Sequence, residues 1–282
     1  MPPLSSFVLE GTARLRLGPH PDRARQDAET LLLHLLGKNT AWLMAHGDKL
    51  LPDDLSLSYS ELLERRYCGE PIQYIVGEME FYGLPFRVTP DVLIPRPETE
   101  YLVEKVLELA ASFPVPRIVD VGTGSGAIAV ALAHKLPHAA VTAIDLSAAT
   151  LAIARENAKR NGVAFRFLEG DLLAPVAEER FDFIVSNPPY VPETDRATLS
   201  VEVREYEPAL ALFAGDDGLE VYRRLIPAAF DALTPGGFVA LEIGYGQSVA
   251  ITELLTRSGF EQIEFVPDLQ GIPRVACAQR PS

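Results

Sequence analysis

Arg117-Ile118-Val119-Asp120-Val121-Gly122-Thr123-Gly124-Ser125-Gly126-Ala127 reads as a strand, a glycine loop and the first turn of a helix. The apolar, β-branched run at 117–121 suits a buried strand, and a helical pattern continues from Ala127 to Leu136. Glycines between the two allow a tight turn and let a ligand approach the backbone. Gly122, Gly124 and Ala127 fit the dinucleotide fingerprint, with alanine as its third member. No lysine and Ser/Thr pair follows, which excludes a Walker-type phosphate loop. Asp145 closes the next strand, Val141 to Ile144, about 20 residues on, where a carboxylate can accept hydrogen bonds from ribose hydroxyls. Loop and carboxylate together predict a site for an adenosine-containing cofactor.

Outward from this stretch, strands and helices alternate. Ser147 to Asn161 is a helix closed by Gly162, and Ala164 to Leu168 is a third strand. A further strand enters Asn187, Asp217 to Leu233 is a helix, and Phe238 to Ile243 is a strand. A helix at Gln247 to Ser258 and strands at Phe260 to Val266 and Arg274 to Ala278 complete the chain. Such alternation predicts the α/β class: a doubly wound, mostly parallel sheet covered on both faces, within residues 96–282.

The second informative stretch is Phe181-Asp182-Phe183-Ile184-Val185-Ser186-Asn187-Pro188-Pro189-Tyr190. Its first part is an apolar, aromatic strand; the rest is a stiff turn. Proline donates no ladder hydrogen bond and holds the residue before it out of the helical region. The turn therefore presents an amide, exposed carbonyls and an aromatic ring at the carboxyl end of a strand, the edge where open α/β sheets bind ligands. Asp120 places a carboxylate beside the glycine loop, which suits a cationic amino-acid ligand better than a pyrophosphate. Asp171 suits an adenine amino group, with Leu172 covering the ring. These features favour S-adenosylmethionine over a nicotinamide dinucleotide. The Asn187 side-chain oxygen and the Pro188 carbonyl can each accept one proton of a planar amide or amine nitrogen. Tyr190 can stack on its plane. Positioning of this kind contributes several kcal/mol without a general base.

Residues 1–70 read as a separate helical domain. Asp27 to Gly37 has early acids, an apolar centre and a terminating glycine, and Ser58 to Gly69 repeats that plan. Trp42, Leu43 and Met44 read as core, and His34 and His46 as packed or half-buried side chains. Residues 71–95 alternate loosely at Ile72, Tyr74 and Val76 and again at Phe81, Tyr82, Phe86 and Val88, which predicts a hairpin linker. Pro97 suits a first helical position, and Glu98 and Glu100 complement the positive helix start. Arg96 stands just outside that cap, where it can face a cleft.

The 282 residues are 48% hydrophobic, enough for a full α/β domain and a smaller one. A net charge of −14 opposes nucleic acid as the main partner. Cys68 and Cys277 make neither a metal-ligand pattern nor a disulfide framework. Met1 to Leu17 has no long apolar run, so no signal peptide or membrane span is expected.

Over nearly its whole length the chain resembles the protein-(glutamine-N5) methyltransferases that modify class I peptide-chain release factors. The resemblance is carried by Glu70-Pro71-Ile72-Gln73-Tyr74-Ile75-Val76-Gly77, Phe81-Tyr82-Gly83 and Ile94-Pro95-Arg96-Pro97-Glu98-Thr99-Glu100. It continues through the 122–126 loop, Val185 to Tyr190, Glu207-Pro208-Ala209-Leu210, Asp217-Gly218-Leu219 and Leu241-Glu242-Ile243-Gly244. The first 60 residues match in helical character only. The resemblance implies a seven-stranded, Rossmann-like methyltransferase domain that binds S-adenosylmethionine. It also implies a helical N-terminal domain that helps dock the release factor. Gly122, Thr123, Gly124, Ser125, Gly126, Asp145, Leu172 and Asn187 would contact the cofactor, although the family often has a larger aromatic where Leu172 stands. Asn187, Pro188, Pro189 and Tyr190 would hold the glutamine of a Gly-Gly-Gln motif, with Asn187, Pro188 and Tyr190 carrying the catalysis. Arg96 and Glu98 would line the entrance. No metal is implied, and a monomeric cytoplasmic enzyme without direct nucleic-acid contact is expected. Rival readings are an adenine amino-methyltransferase for DNA or RNA, a ribosomal-protein glutamine methyltransferase and a non-catalytic adapter.

Overall fold

In the computed structural model, which describes residues 2–282, the chain begins with five helices. They are α1 (Leu4–Leu15), α2 (Ala24–Leu36), α3 (Thr40–His46), α4 (Asp53–Tyr67) and α5 (Ile72–Val76). A hairpin of β1 (Glu78–Phe81) and β2 (Leu84–Arg87) follows, then α6 (Thr99–Ala110), β3 (Arg117–Val121), α7 (Ala127–Lys135) and β4 (Ala140–Asp145). Next come α8 (Ala148–Arg160), β5 (Arg166–Glu169), β6 (Phe181–Ser186), α9 (Val201–Tyr206) and α10 (Glu220–Ala232). The chain closes with β7 (Leu233–Glu242), α11 (Ser248–Arg257), β8 (Glu261–Pro267) and β9 (Pro273–Gln279).

Two compact units emerge. The first is Met1–Glu78 with Leu199–Tyr206, so α9 belongs with the N-terminal helices although it lies late in the sequence. Its core gathers Leu4, Phe7, Leu15, Ala28, Leu31, Leu32 and Leu51 around Tyr59. The Tyr59 hydroxyl donates to the Ala28 carbonyl at 3.0 Å, satisfying a polar atom that burial would otherwise leave unpaired. Gly37, at φ 60°, ends α2, and the Asn39 side chain caps α3 by accepting from the Trp42 amide. Arg66 is 2% exposed; its Nε donates to Asp27 at 2.6 Å and its Nη1 pairs with Glu202 of α9. A buried guanidinium is tolerated only when paired in this way. Two side chains and one segment depart from expectation. Met44 is 83% exposed, because α3 buries Leu43 instead. His34 is exposed on α2. Residues 72–76 are a helix rather than a strand: Gly77, at φ 78°, closes one turn that buries Ile72, Tyr74 and Ile75.

The second unit is Met79–Thr198 with Glu207–Ser282. Its sheet has the order β5-β4-β3-β6-β7-β9-β8. The pairs β4/β5, β3/β4, β3/β6 and β6/β7 are parallel, and β7/β9 and β8/β9 are antiparallel. Alternation along each strand divides the core. Val119, Val121, Ile184 and Leu241 pack with α10 and α11 residues on one face; Ile118, Phe183 and Val185 pack with α6 and α7 residues on the other. Phe183 lies between the rings of Phe113, at 4.9 Å, and Phe238, at 5.8 Å. Strand order reverses between β3 and β6, so a crevice opens outside their carboxyl ends. The residues that follow those ends are Gly122 and Asn187. Helix α6 starts at Thr99, so Pro97 precedes the cap rather than occupying the first helical turn.

Among the described residues no helix is long and apolar enough to cross a membrane, and Cys68 and Cys277 are both free.

Candidate active site

The Ser186 hydroxyl donates to the Val121 carbonyl at 2.6 Å, pinning the carboxyl ends of β6 and β3 side by side. From β3 the chain enters the glycine loop. Gly122, Gly124 and Gly126 have φ of 71°, 58° and 83°, a region that L side chains rarely adopt. A Cβ on Gly122 or Gly124 would meet no atom within 4 Å, so both turn bare backbone toward open space. Gly126 serves packing instead: its Cβ would lie 3.2 Å from that of Ala154 on α8. Thr123 and Ser125 are 5% and 3% exposed. Their side chains therefore brace the loop, and its backbone is what a ligand can meet.

Two carboxylates frame this loop. Asp145, at the end of β4, accepts the Gly124 amide at 2.9 Å and the Ser147 amide at 3.0 Å. Burial raises its pKa, and these amides oppose the rise. Asp120 is fully buried; its Oδ2 accepts from the Thr123 hydroxyl at 2.6 Å, and its Oδ1 has no hydrogen-bond partner. Burial pushes Asp120 up to about 7, with the Thr123 hydroxyl opposing. Open space over two glycines and an unpartnered buried carboxylate oxygen are the features that a ligand with a cationic amine and a ribose needs. Leu172, at φ 49°, is half-buried against the core near the end of β5. Asp171 is exposed and ion-paired with Arg224 of α10.

The turn after β6 is held by Thr99 of α6, Glu242 of β7 and Gln247 at the N-cap of α11, with Tyr222 of α10 bracing Glu242. Asn187 Nδ2 donates to Thr99 Oγ1 at 3.1 Å, and Thr99 Oγ1 donates to Glu242 Oε2 at 2.6 Å. Tyr190 Oη donates to Glu242 Oε1 at 3.3 Å, and Tyr222 Oη donates to the Glu242 carbonyl at 2.6 Å. Gln247 Nε2 donates to the Tyr190 carbonyl at 3.0 Å while its Oε1 accepts the Gly244 amide at 2.9 Å. Pro188 is buried, and Asn187, Pro189 and Tyr190 are half-buried. Burial pushes Glu242 up to about 7, opposed by the Thr99 and Tyr190 hydroxyls. Burial, then the Glu242 charge, raises the Tyr190 phenol, which stays protonated. Arg96 pairs with Glu207, which also accepts the Ile94 amide at 3.3 Å. Glu98 is half-buried, and its charge adds to the rise at Glu242.

The structure thus brings together the glycine loop, Asp145 and the 187–190 turn at one crevice. Sequence reasoning assigned no role to Thr99, Glu242, Gln247 or Tyr222. One signal was present: a lone carboxylate ends the apolar strand that neighbours β6. Among the described residues no His/Cys/Asp/Glu group could hold a metal.

This sheet order and this pairing of loop and turn define an S-adenosylmethionine-dependent methyltransferase, and residues 98–204 match the model of the methyltransferase small domain. Residues 10–77 match that of the PrmC N-terminal domain. The chain is 44% identical over 254 residues to the release factor glutamine methyltransferase of Geobacter sulfurreducens, covering 90% of this chain and 89% of that one. It is 43% identical over 280 residues to that of Deinococcus radiodurans, covering 98% of both. A methyltransferase from Pyrococcus furiosus shares the fold at a TM-score of 0.53 and 23% identity, covering 72% of this chain and 91% of that one. The chain belongs to the release factor glutamine methyltransferase family.

Proposed function

We propose that the protein methylates the side-chain amide nitrogen of the glutamine in the Gly-Gly-Gln motif of class I release factors. The observation that carries this reading is the junction of Asn187 and the glycine loop at the switch point, fixed by the Ser186–Val121 hydrogen bond. S-adenosylmethionine, when bound, supplies an electrophilic methyl group on a sulfonium. The bare backbone of Gly122 and Gly124 and the Asp145 carboxylate would hold its adenosine part, Leu172 would cover the ring, and Asp120 would face its amine. On the other side, Asn187 Oδ1 and the Pro188 carbonyl accept the two N–H groups of the glutamine amide. An amide nitrogen is a weak nucleophile because its lone pair is delocalised. Fixing both protons aims that lone pair at the methyl group, an effect of positioning and preorganised dipoles worth several kcal/mol. As the N–CH3 bond forms the S–CH3 bond breaks, leaving S-adenosylhomocysteine, and the nitrogen releases one of its two protons to solvent. Tyr190 stacks on the amide plane, its hydroxyl anchored on Glu242. Arg96 and Glu98 line the approach, and the helical unit docks the release factor. Such a substrate places the reaction in the cytoplasm. The net charge of −14 supports a protein acceptor over nucleic acid.

The test offers the protein, with radiolabelled S-adenosylmethionine, a class I release factor, a ribosomal protein, DNA and RNA in parallel. Label in the release factor is expected. Label confined to nucleic acid or to the ribosomal protein would replace this reading.

A further inference from the structure

The proton direction along the chain Glu242–Thr99–Asn187 has a consequence at the acceptor site. Thr99 and Glu242 are 4% and 2% exposed, so each is closed off from water that could supply other partners. A hydroxyl has one proton and two acceptor lone pairs. Thr99 Oγ1 lies 2.6 Å from Glu242 Oε2 and 3.1 Å from Asn187 Nδ2. Above about pH 7 Glu242 is ionised and only accepts, so the Thr99 proton goes to Glu242. Oγ1 is left with lone pairs alone toward Asn187. Only the NH2 end of that side-chain amide can satisfy them; the reverse orientation would set two acceptors against each other. The Tyr190 hydroxyl, 3.3 Å from Glu242 Oε1, spends its own proton on the second oxygen and keeps that carboxylate accepting at both ends.

We infer that Glu242 and Thr99 are positioning residues that turn the oxygen of the Asn187 amide, and not its nitrogen, toward the incoming acceptor nitrogen. The inference rests on the proposed role of Asn187 as a hydrogen-bond acceptor for the substrate amide. It adds the reason why that acceptor faces the right way before substrate arrives. An Asn187 free to flip would present N–H to N–H half of the time and repel the group it must bind. The same carboxylate fixes Tyr190, so one buried residue sets both the in-plane hydrogen bonds and the stacking ring.

The test uses the full-length Thr99→Val and Thr99→Ser proteins near pH 8.5, where Glu242 is ionised. Valine keeps the shape and removes the hydroxyl; serine keeps the hydroxyl and removes the methyl. Leaving the half-buried Asn187 donor without its partner should lower kcat of Thr99→Val roughly 10- to 100-fold. Binding of S-adenosylhomocysteine should be unchanged, and Thr99→Ser should recover most of the rate. A second readout needs no turnover: the side-chain 15N–1H2 resonances of Asn187, identified by their loss in Asn187→Ala. They should shift in Thr99→Val and stay near their wild-type positions in Thr99→Ser. Wild-type kcat in Thr99→Val, or an equal loss in Thr99→Ser, would overturn the inference. So would amide resonances indifferent to the Thr99 hydroxyl. If the wild type methylates no release factor, the functional reading fails, and the resonance experiment still decides the orientation.

Discussion

Replacing Glu242 with Gln should make the protein more stable in alkaline solution and leave its stability unchanged in acid. Glu242 ends β7, is 2% exposed and is held at about 7 by burial, against an ordinary value of 4.5. That raised value already includes the opposing hydroxyls of Thr99 and Tyr190. Between these two pH values the folded state keeps a proton that the unfolded chain has lost. Stability therefore falls as pH rises through the window, and the whole cost is present above pH 7. At about 1.4 kcal/mol per pH unit, the cost is about 3 kcal/mol. A glutamine has no charge to bury. Its oxygen can accept from Thr99 and its nitrogen can donate to the Tyr190 oxygen, so both contacts have a counterpart. The gain should thus approach ~3 kcal/mol near pH 8.5, fall below ~1 kcal/mol near pH 5 and vanish under about pH 4. The sole tryptophan, Trp42, lies in the other compact unit, so its fluorescence would miss the transition. Hydrogen exchange at the β6 and β7 amides, across a pH series at fixed ionic strength, follows the right unit. Equal protection in both proteins near pH 8.5, or a gain that grew toward acid, would refute the reasoning.

Other substitutions probe the remaining parts. Gly124→Ala places a side chain at φ 58°, so backbone strain should cost about 1 kcal/mol in chemical denaturation, with a larger loss in calorimetric binding of S-adenosylmethionine. Phe183→Ala empties a fully buried site between two other rings and should cost about 3–5 kcal/mol in urea unfolding of the sheet. Arg66→Ala leaves Asp27, 2% exposed, without its partner and should cost the helical unit about 3–5 kcal/mol. Trp42 fluorescence should report that loss directly.

Much of this was legible in the sequence, for physical reasons. A parallel strand covered on both faces is mostly apolar, which made β3, β4 and β6 visible. Tight turns at positive φ require glycine, which marked 122–126, and a double proline can only end a strand, which marked 187–190. Other features depend on contacts that no local pattern encodes. The Glu242–Thr99–Asn187 chain exists because β7 lies beside β6, and strand order is not written in periodicity. The side chains of Thr123 and Ser125 are buried although the residues are polar, Thr123 donating to Asp120. Residues 72–76 mimic a two-residue period, but a single turn closed by Gly77 buries Ile72, Tyr74 and Ile75 better than a strand would. Helix α9 is six residues long, too short to announce that its partner is Arg66.

The most direct test of the account is mass spectrometry of a release factor after incubation with this protein and methyl-labelled S-adenosylmethionine. One methyl group on the side-chain nitrogen of the Gly-Gly-Gln glutamine, absent when Asn187→Ala replaces the wild type, is the predicted result. An unmodified glutamine, or equal modification by Asn187→Ala, would contradict it.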